Sequence, residues 1–240
     1  NLTVQQQSSP WFSTPPVPYV CVNSPYTLNN GAVDLDNDSL SFEFIYPRTI
    51  SGSNCVGYYN AANLSFSAGY SLAEPFATGN TFQFDPLSGQ MSFTPTMVSA
   101  NTVAMRVNKW RNGVRIGSVM RDIQIQVLAC NIPPPSFDTV AGSFYGSVVV
   151  NGMVEGSVNQ PISFCYVINT TAPDGVLMAR DNHAVVAPGS ATYYNGIGTP
   201  RIDGCFNWTP TCADTGMRIF TITVKDSTCK PPGVAITQTF

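Results

Sequence analysis

Four stretches of this chain alternate apolar and polar residues with a period of two, and that pattern restricts the fold more than any other feature. Leu40, Phe42 and Phe44 alternate with Ser41 and Glu43, and Ile123, Ile125 and Val127 with Gln124 and Gln126. Ile162, Phe164, Tyr166 and Ile168 alternate with Ser163 and Cys165, and Phe220, Ile222 and Val224 with Thr221 and Thr223. Successive side chains of a strand point to opposite faces, so each stretch predicts a strand buried on one side. Turn residues separate the strands: Asn30-Gly31, Pro86 to Gly89, Asn112-Gly113, Ala213 to Gly216 and Pro231 to Gly233. Asn112-Gly113 joins VAMRVNKW to VRIGSVMRDIQIQV, which predicts a two-residue hairpin because its favoured turn needs positive φ at both central residues. Nothing repeats at the helical period. Residues Ser71 to Phe76 could form one turn, which Pro75 ends.

Short strands with turn signals at this spacing predict β-sandwiches. The run NIPPPS at 131–136 carries three prolines and predicts an extended, semi-rigid connection between units 1–130 and 131–240. An internal repeat supports that division. DPLSGQMSFTPT at 85–96 parallels RIDGCFNWTPT at 201–211, each followed by an alternating strand, at 102–110 and 217–226. YTLNNGAVDLDNDSL at 26–40 parallels ISFCYVINTTAPDGVL at 162–177. The first unit carries an insertion at 47–80 that holds Cys55, Tyr58, Tyr59, Phe66 and Tyr70.

Composition removes several function classes. Charged residues are 10% of the 240 and hydrophobic ones 43%. A disordered chain would be more charged and less aromatic, and a coiled coil richer in Glu, Lys, Leu and Ala. No run of 18 apolar residues spans a membrane, and the first ten residues, NLTVQQQSSP, lack the basic and apolar regions of a signal peptide. A net charge of −3 with 11 Lys and Arg argues against nucleic acid as a partner.

The seven cysteines are Cys21, Cys55, Cys130, Cys165, Cys205, Cys212 and Cys229, with no CxxC pair. They predict disulfides and an oxidising, extracellular compartment, with one thiol left over. In an immunoglobulin-like strand order Cys165 and Cys205 share the outward phase of neighbouring strands, so they are the first expected bridge. Cys130–Cys229 and Cys21–Cys55 follow from the poles at which those residues fall. Cys21–Cys130 is the main competitor, and Cys212 is expected to be unpaired.

Asp34, Asp36 and Asp38 form the densest acidic cluster, with Asn37 among them. Alternate carboxylates in a loop offer the hard oxygen ligands that suit calcium. The other reading is a solvated turn in which Asp side chains bond the local backbone. The glycine and the terminal glutamate of an EF-hand loop are missing. In the assumed strand order this loop faces a preceding domain, away from 131–136. Catalytic patterns are absent: the sequence has no G-x-S-x-G elbow and no glycine-rich phosphate loop. The one histidine, His183 in the polar run ARDNH, reads as a surface residue, and Glu43, Glu74 and Glu155 pair with nothing for acid–base work. The chain is therefore not expected to be an enzyme. Of the aromatics, Phe84, Phe93, Phe206 and Trp208 read as core. In the pairs Tyr58-Tyr59 and Tyr193-Tyr194 strand alternation buries one ring and exposes the other.

The segment GAVDLDNDSLSFEF resembles the strand–loop–strand of cadherin-like and PKD-like bacterial modules. The ordered set SSPWFSTPPVPYVCVNSPYTLNNGAVDLDNDSLSFEFIYP, FDPLSGQMSFTP and VNKWRNGVRIGSVMRDIQIQVLAC is similar to repeats of gliding-motility-associated surface adhesins of Bacteroidetes, the SprB type. WTPT, ADTG and VKDSTCKPPG resemble the partner module of those proteins. One departure is that the second unit lacks the D-x-D-x-D loop and offers only Asp174. The resemblance implies two tandem, all-β, immunoglobulin-like antiparallel sandwiches in a secreted cell-surface adhesin. It implies a structural spacer or display segment, with neighbouring repeats of the same large protein, a surface glycan or the secretion and motility machinery as partners. It also implies O-glycosylation of Thr139 within Asp138-Thr139-Val140, a pattern that Asp38-Ser39-Leu40 fits as well. The rival expectations are a carbohydrate-binding module built on 47–80 and an enzyme accessory domain.

Overall fold

A computed structural model describes residues 8–17, 19–49, 62–131, 133–139, 145–150, 153–172, 174–227 and 235–240. Ahead of the proline run lie β1 (Trp11–Phe12), β2 (Tyr19–Cys21), β3 (Tyr26–Leu28), β4 (Ala32–Val33), β5 (Ser39–Ile45), β6 (Arg48–Thr49), β7 (Ala62–Asn63), β8 (Gln83–Phe84), β9 (Met91–Phe93), β10 (Ser99–Arg111) and β11 (Val114–Leu128). Beyond it lie β12 (Ser136–Thr139), β13 (Ser147–Val150), β14 (Met153–Gly156), β15 (Ile162–Asn169), β16 (Leu177–Asp181), a one-turn helix α1 (His183–Val186), β17 (Ala191–Asn195), β18 (Arg201–Trp208), β19 (Thr221–Asp226) and β20 (Ala235–Thr239). The protein is an all-β sandwich structure.

In the first half a sheet ordered β2-β11-β10-β5 faces one ordered β3-β9-β8, and in the second half β12-β15-β18-β17 faces β16-β19-β20. The orders β3-β9-β8 and β15-β18-β17 correspond strand for strand, as do β5-β10-β11 and β16-β19-β20. This is the topological form of the internal repeat. The halves differ in how an early strand joins its sheet. Strand β12 pairs antiparallel with β15, whereas β2 runs parallel to β11, Tyr19 to Cys21 lying opposite Gln126 to Leu128. The expectation of purely antiparallel sheets is corrected at that pair.

The alternation works as a burial code. Ile123, Ile125 and Val127 are buried on β11, Ile162, Phe164, Tyr166 and Ile168 on β15, and Phe220, Ile222 and Val224 at β19. Asn112 and Gly113 close the β10–β11 hairpin with φ of 52° and 76°, the positive values that its tight turn requires. Residues 71–80 form bends with no helix, and Phe76 enters the core against Phe93 at 5.0 Å. The Glu74 carboxylate holds that bend by accepting the N–H groups of Thr78 (2.8 Å) and Asn80 (3.1 Å).

Two disulfides join described residues. Cys165 and Cys205 lie directly opposite on β15 and β18, with Cα atoms 4.1 Å apart. Cys21 bonds Cys130 across 5.4 Å. The expected Cys130–Cys229 and Cys21–Cys55 pairs are thereby corrected, because Cys21 and Cys130 take each other. The physical reason is the parallel β2–β11 pairing, which sets Cys21 opposite Leu128, close to where Cys130 follows. Cys55 and Cys229 lie outside the described residues. Cys212 is free and exposed.

No strand ladder among the described residues crosses 131–136, yet the halves are not held apart. One buried apolar cluster contains Val17, Leu28 and Phe93 from the first half and Leu177, Ile222 and Ile236 from the second. Strands β3 and β20 meet at their edges, where Thr27 Oγ1 donates to the Thr237 carbonyl at 2.7 Å. Thr14 and Thr221 share a hydroxyl hydrogen bond of 2.8 Å. Asn182 donates to Ser13 Oγ (2.9 Å) and to the Ile219 carbonyl (3.0 Å), and accepts the Thr221 N–H at 2.8 Å. Three of these bonds cross the seam and the other two hold Asn182 within the second half, so the polar groups named here are paired. Gly31 belongs to the same seam. At its φ of +56°, a Cβ would sit 2.4 Å from Thr14 Oγ1.

Candidate functional site

The acidic loop lies between β4 and β5, and its anchor comes from a strand far along the chain. Met105 and Val107 face the core on β10, and Lys109 continues that inward phase at the strand's end, just before a bulge at Trp110. A lysine there can cover apolar surface with its stem and carry its ammonium out of the core. The Lys109 side chain is only 3% exposed. Its Nζ lies 2.7 Å from Asp34 Oδ1 and 2.9 Å from Asp38 Oδ2, and it also contacts Asp36 Oδ2. It donates to the Ser8 carbonyl at 2.9 Å.

Other donors also reach these carboxylates. Arg111 grips Asp38 with two hydrogen bonds of 2.7 Å, from Nε and from one terminal nitrogen. This fork geometry gives guanidinium–carboxylate pairs their directionality. Asp36 accepts the Ser8 N–H at 2.9 Å, and Asp34 accepts the Asp38 N–H at 2.9 Å. The hydrogen bond from Lys109 is the main influence holding the Asp36 carboxyl below the usual range. For Asp38 the main influence is the hydrogen bond from Arg111, which outweighs burial. Burial alone would push the Lys109 ammonium down, but the hydrogen bonds it donates to Asp34, Asp36 and Asp38 reverse it, and the net shift is upward.

These directions set a pH profile. The lowered Asp36 and Asp38 lend stability that is complete above the unfolded value of ~3.9 and is lost as pH falls through their folded values. The raised Lys109 lends stability that is complete below ~10.4 and is lost as pH rises through its folded value. Urea midpoints are therefore expected to be level between about pH 5 and 10 and to fall on both sides, the alkaline fall becoming shallower in Lys109→Gln and its remainder coming from the Tyr166 and Tyr194 hydroxyls, which burial pushes up. An alkaline limb unchanged by that substitution would count against the cluster as its origin.

The ligand atoms of Asp34, Asp36 and Asp38 lie within 4.8 Å of one another, so the structure does bring the three expected residues together. Calcium takes six to eight oxygens at about 2.3–2.6 Å. Here the carboxylates converge on an ammonium, and as arranged they do not fit Ca²⁺. The loop's placement also differs from the expectation. It lines a cleft together with Val186 and residues 215–219, so it faces the second half of the same chain.

A second titratable cluster was not visible in the sequence. Asp181 contacts His183 Nδ1 and accepts the Tyr194 hydroxyl at 2.5 Å, while Thr192 Oγ1 lies 3.1 Å from the same His183 nitrogen. A nucleophile–base–carboxylate relay uses both ring nitrogens, one for each neighbour. Both partners share Nδ1 here, so the cluster fixes α1 against β17 and is not arranged as a relay. Tyr193 is exposed while Tyr194 turns inward. Tyr58 and Tyr59 lie outside the described residues, Phe66 packs on Tyr46 at 5.4 Å, and Thr139 ends β12 opposite Tyr166.

No protein-family model matches the chain, and no curated protein matches it. Among solved structures, protocadherin gamma B7 extracellular cadherin domains 1–4 align over 97% of this chain and 48% of that one, at 14% identity and a TM-score of 0.28. Protocadherin gamma B2 domains 1–5 align over 96% and 38%, at 12% identity and a TM-score of 0.29. The chain thus spans half or less of those chains, and likenesses at such TM-scores carry no argument about ligand, partner or activity. What the described residues show is an all-β protein of paired sandwiches, with two disulfides among them and an ammonium-filled acidic loop.

Proposed function

We propose that this chain is an extracellular, load-bearing spacer or display segment of a larger adhesive surface protein of the gliding-motility type, with 1–130 and 131–240 as its two sandwich units. The observation that carries the reading is the fusion of the halves through a shared apolar cluster and a hydrogen-bonded polar seam, together with two covalent staples. Disulfides persist in oxidising compartments, which agrees with a secreted protein. Neighbouring repeats of the same protein are the proposed partners, and Thr139 the proposed O-glycan acceptor.

A pulling experiment tests the mechanical part. The bridges remove segments with sequence separations of 109 and 40 from the stretchable length, about 500 Å of chain at ~3.3–3.6 Å per residue. Single molecules stretched from their termini are expected to lengthen by roughly that much more when reduced. Equal extension with and without reductant would overturn the reading. A glycan array is expected to be silent. Saturable binding that Tyr58→Ala abolishes would instead make the chain a carbohydrate-binding module.

A further inference from the structure

We propose that Lys109 is a tethered replacement for a divalent cation, so that the acidic loop is ordered without calcium, and that removing this one amine exposes a calcium site. The three carboxylates and the Ser8 carbonyl present four oxygens to a single point, an all-oxygen set of the kind a hard cation selects. That point is filled from within the fold by an ammonium on β10, 73 residues in sequence from Asp36.

The tether has a physical consequence. A bound ion comes and goes with its concentration, whereas Lys109 is anchored through the buried face of β10. Calcium could enter only by expelling an ammonium that sits against three carboxylates, or by binding beside it at like-charge contact. The loop is the β4–β5 connection and lines a cleft opposite residues 215–219 of the second half. The geometry of that junction is therefore held constant across calcium concentrations. This inference does not depend on the adhesive role, and its test reads stability and binding alone.

The test uses the 240-residue chain, with calcium chloride as the probe. The wild-type melting temperature is expected to be the same in chelator and in millimolar calcium. Lys109→Gln is expected to melt several degrees lower in chelator and to recover with calcium, but not with sodium chloride of equal ionic strength. Calcium stabilisation of the wild type, or no calcium response in Lys109→Gln, overturns the proposal. Should Lys109→Gln fail to fold, reductive methylation of the native wild type decides the question. Lys109 is expected to resist modification with and without calcium, while the exposed Lys225 reacts in both. Calcium-induced reactivity of Lys109 would show that the ion displaces the ammonium, and would overturn the proposal.

Discussion

Replacing Cys21 and Cys130 together by serine is expected to cost about 4–5 kcal/mol of unfolding free energy, the larger of the two disulfide losses. The bridge spans a sequence separation of 109 against 40 for Cys165–Cys205. Chain entropy grows with the logarithm of loop length, so the shorter loop is worth less by about 1 kcal/mol. Position works in the same direction. Cys165 and Cys205 already face each other in a ladder of eight registered pairs on long strands. Cys21 belongs to a three-residue strand held by the short parallel pairing to β11 and by its N–H, which donates to Tyr26 Oη at 2.7 Å. Removing the bridge loosens the edge strand of the β2-β11-β10-β5 sheet. Urea unfolding of the two double variants measures the difference, and a larger loss for Cys165→Ser/Cys205→Ser would overturn the ranking.

Phe164→Ala is expected to cost about 3–5 kcal/mol, the range for a large aromatic removed from a core that cannot collapse around the gap. Phe164 is buried on β15 with Phe206 at 5.1 Å, Phe220 at 6.0 Å and Phe240 at 4.9 Å. Those rings come from both sheets of the second sandwich, so the cavity would lie where the two layers meet. Offset and tilted aromatic contacts add about 0.5–1.5 kcal/mol per pair beyond area burial. At roughly 2–4 °C per kcal/mol for a chain of this size, the melting temperature falls by about 10 °C. Phe164→Leu, which keeps most of the volume, is expected to lose much less, and the exposed Tyr193→Ala to stay within about 0.5 kcal/mol. Equal effects for Phe164→Ala and Tyr193→Ala would show that this ring cluster is not the second sandwich's core.

Strands β5, β11, β15 and β19 were legible because each buries one face, and a period of two records that burial in the residues themselves. The Asn112-Gly113 hairpin was legible because its turn demands particular backbone angles from two adjacent residues. The Cys165–Cys205 expectation needed strand phase and one assumption about neighbouring strands. The β3-β9-β8 and β15-β18-β17 correspondence could be traced because the repeat at 85–96 and 201–211 keeps the same turn and strand grammar.

Other features depended on contacts that local pattern does not encode. Gly204 lies on the buried phase of β18, a position with no apolar side chain to mark it. Its missing Cβ is where the Tyr166 ring lies, at 2.2 Å from the place that Cβ would take. Phe76 sits in a stretch of bends with no periodicity and still reaches the core. The Cys21–Cys130 bond depends on a parallel pairing between the second strand and the eleventh. The side-by-side seam of Thr14, Asn182 and Thr221 uses residues whose polarity alone predicts solvent.

The amino-acid sequence by itself determined which residues turn inward along each strand, where the chain reverses, and that three carboxylates share one loop. Only the tertiary structure decided what those carboxylates hold. A lysine in a strand reads as solvent-facing, and Lys109 becomes a buried counter-ion because β10 pairs with β5, placing Lys109 opposite Leu40 beside the acidic loop. Periodicity records the environment a residue needs. The partner that supplies it is chosen by strand pairing across long sequence separations, where no local spacing carries the information.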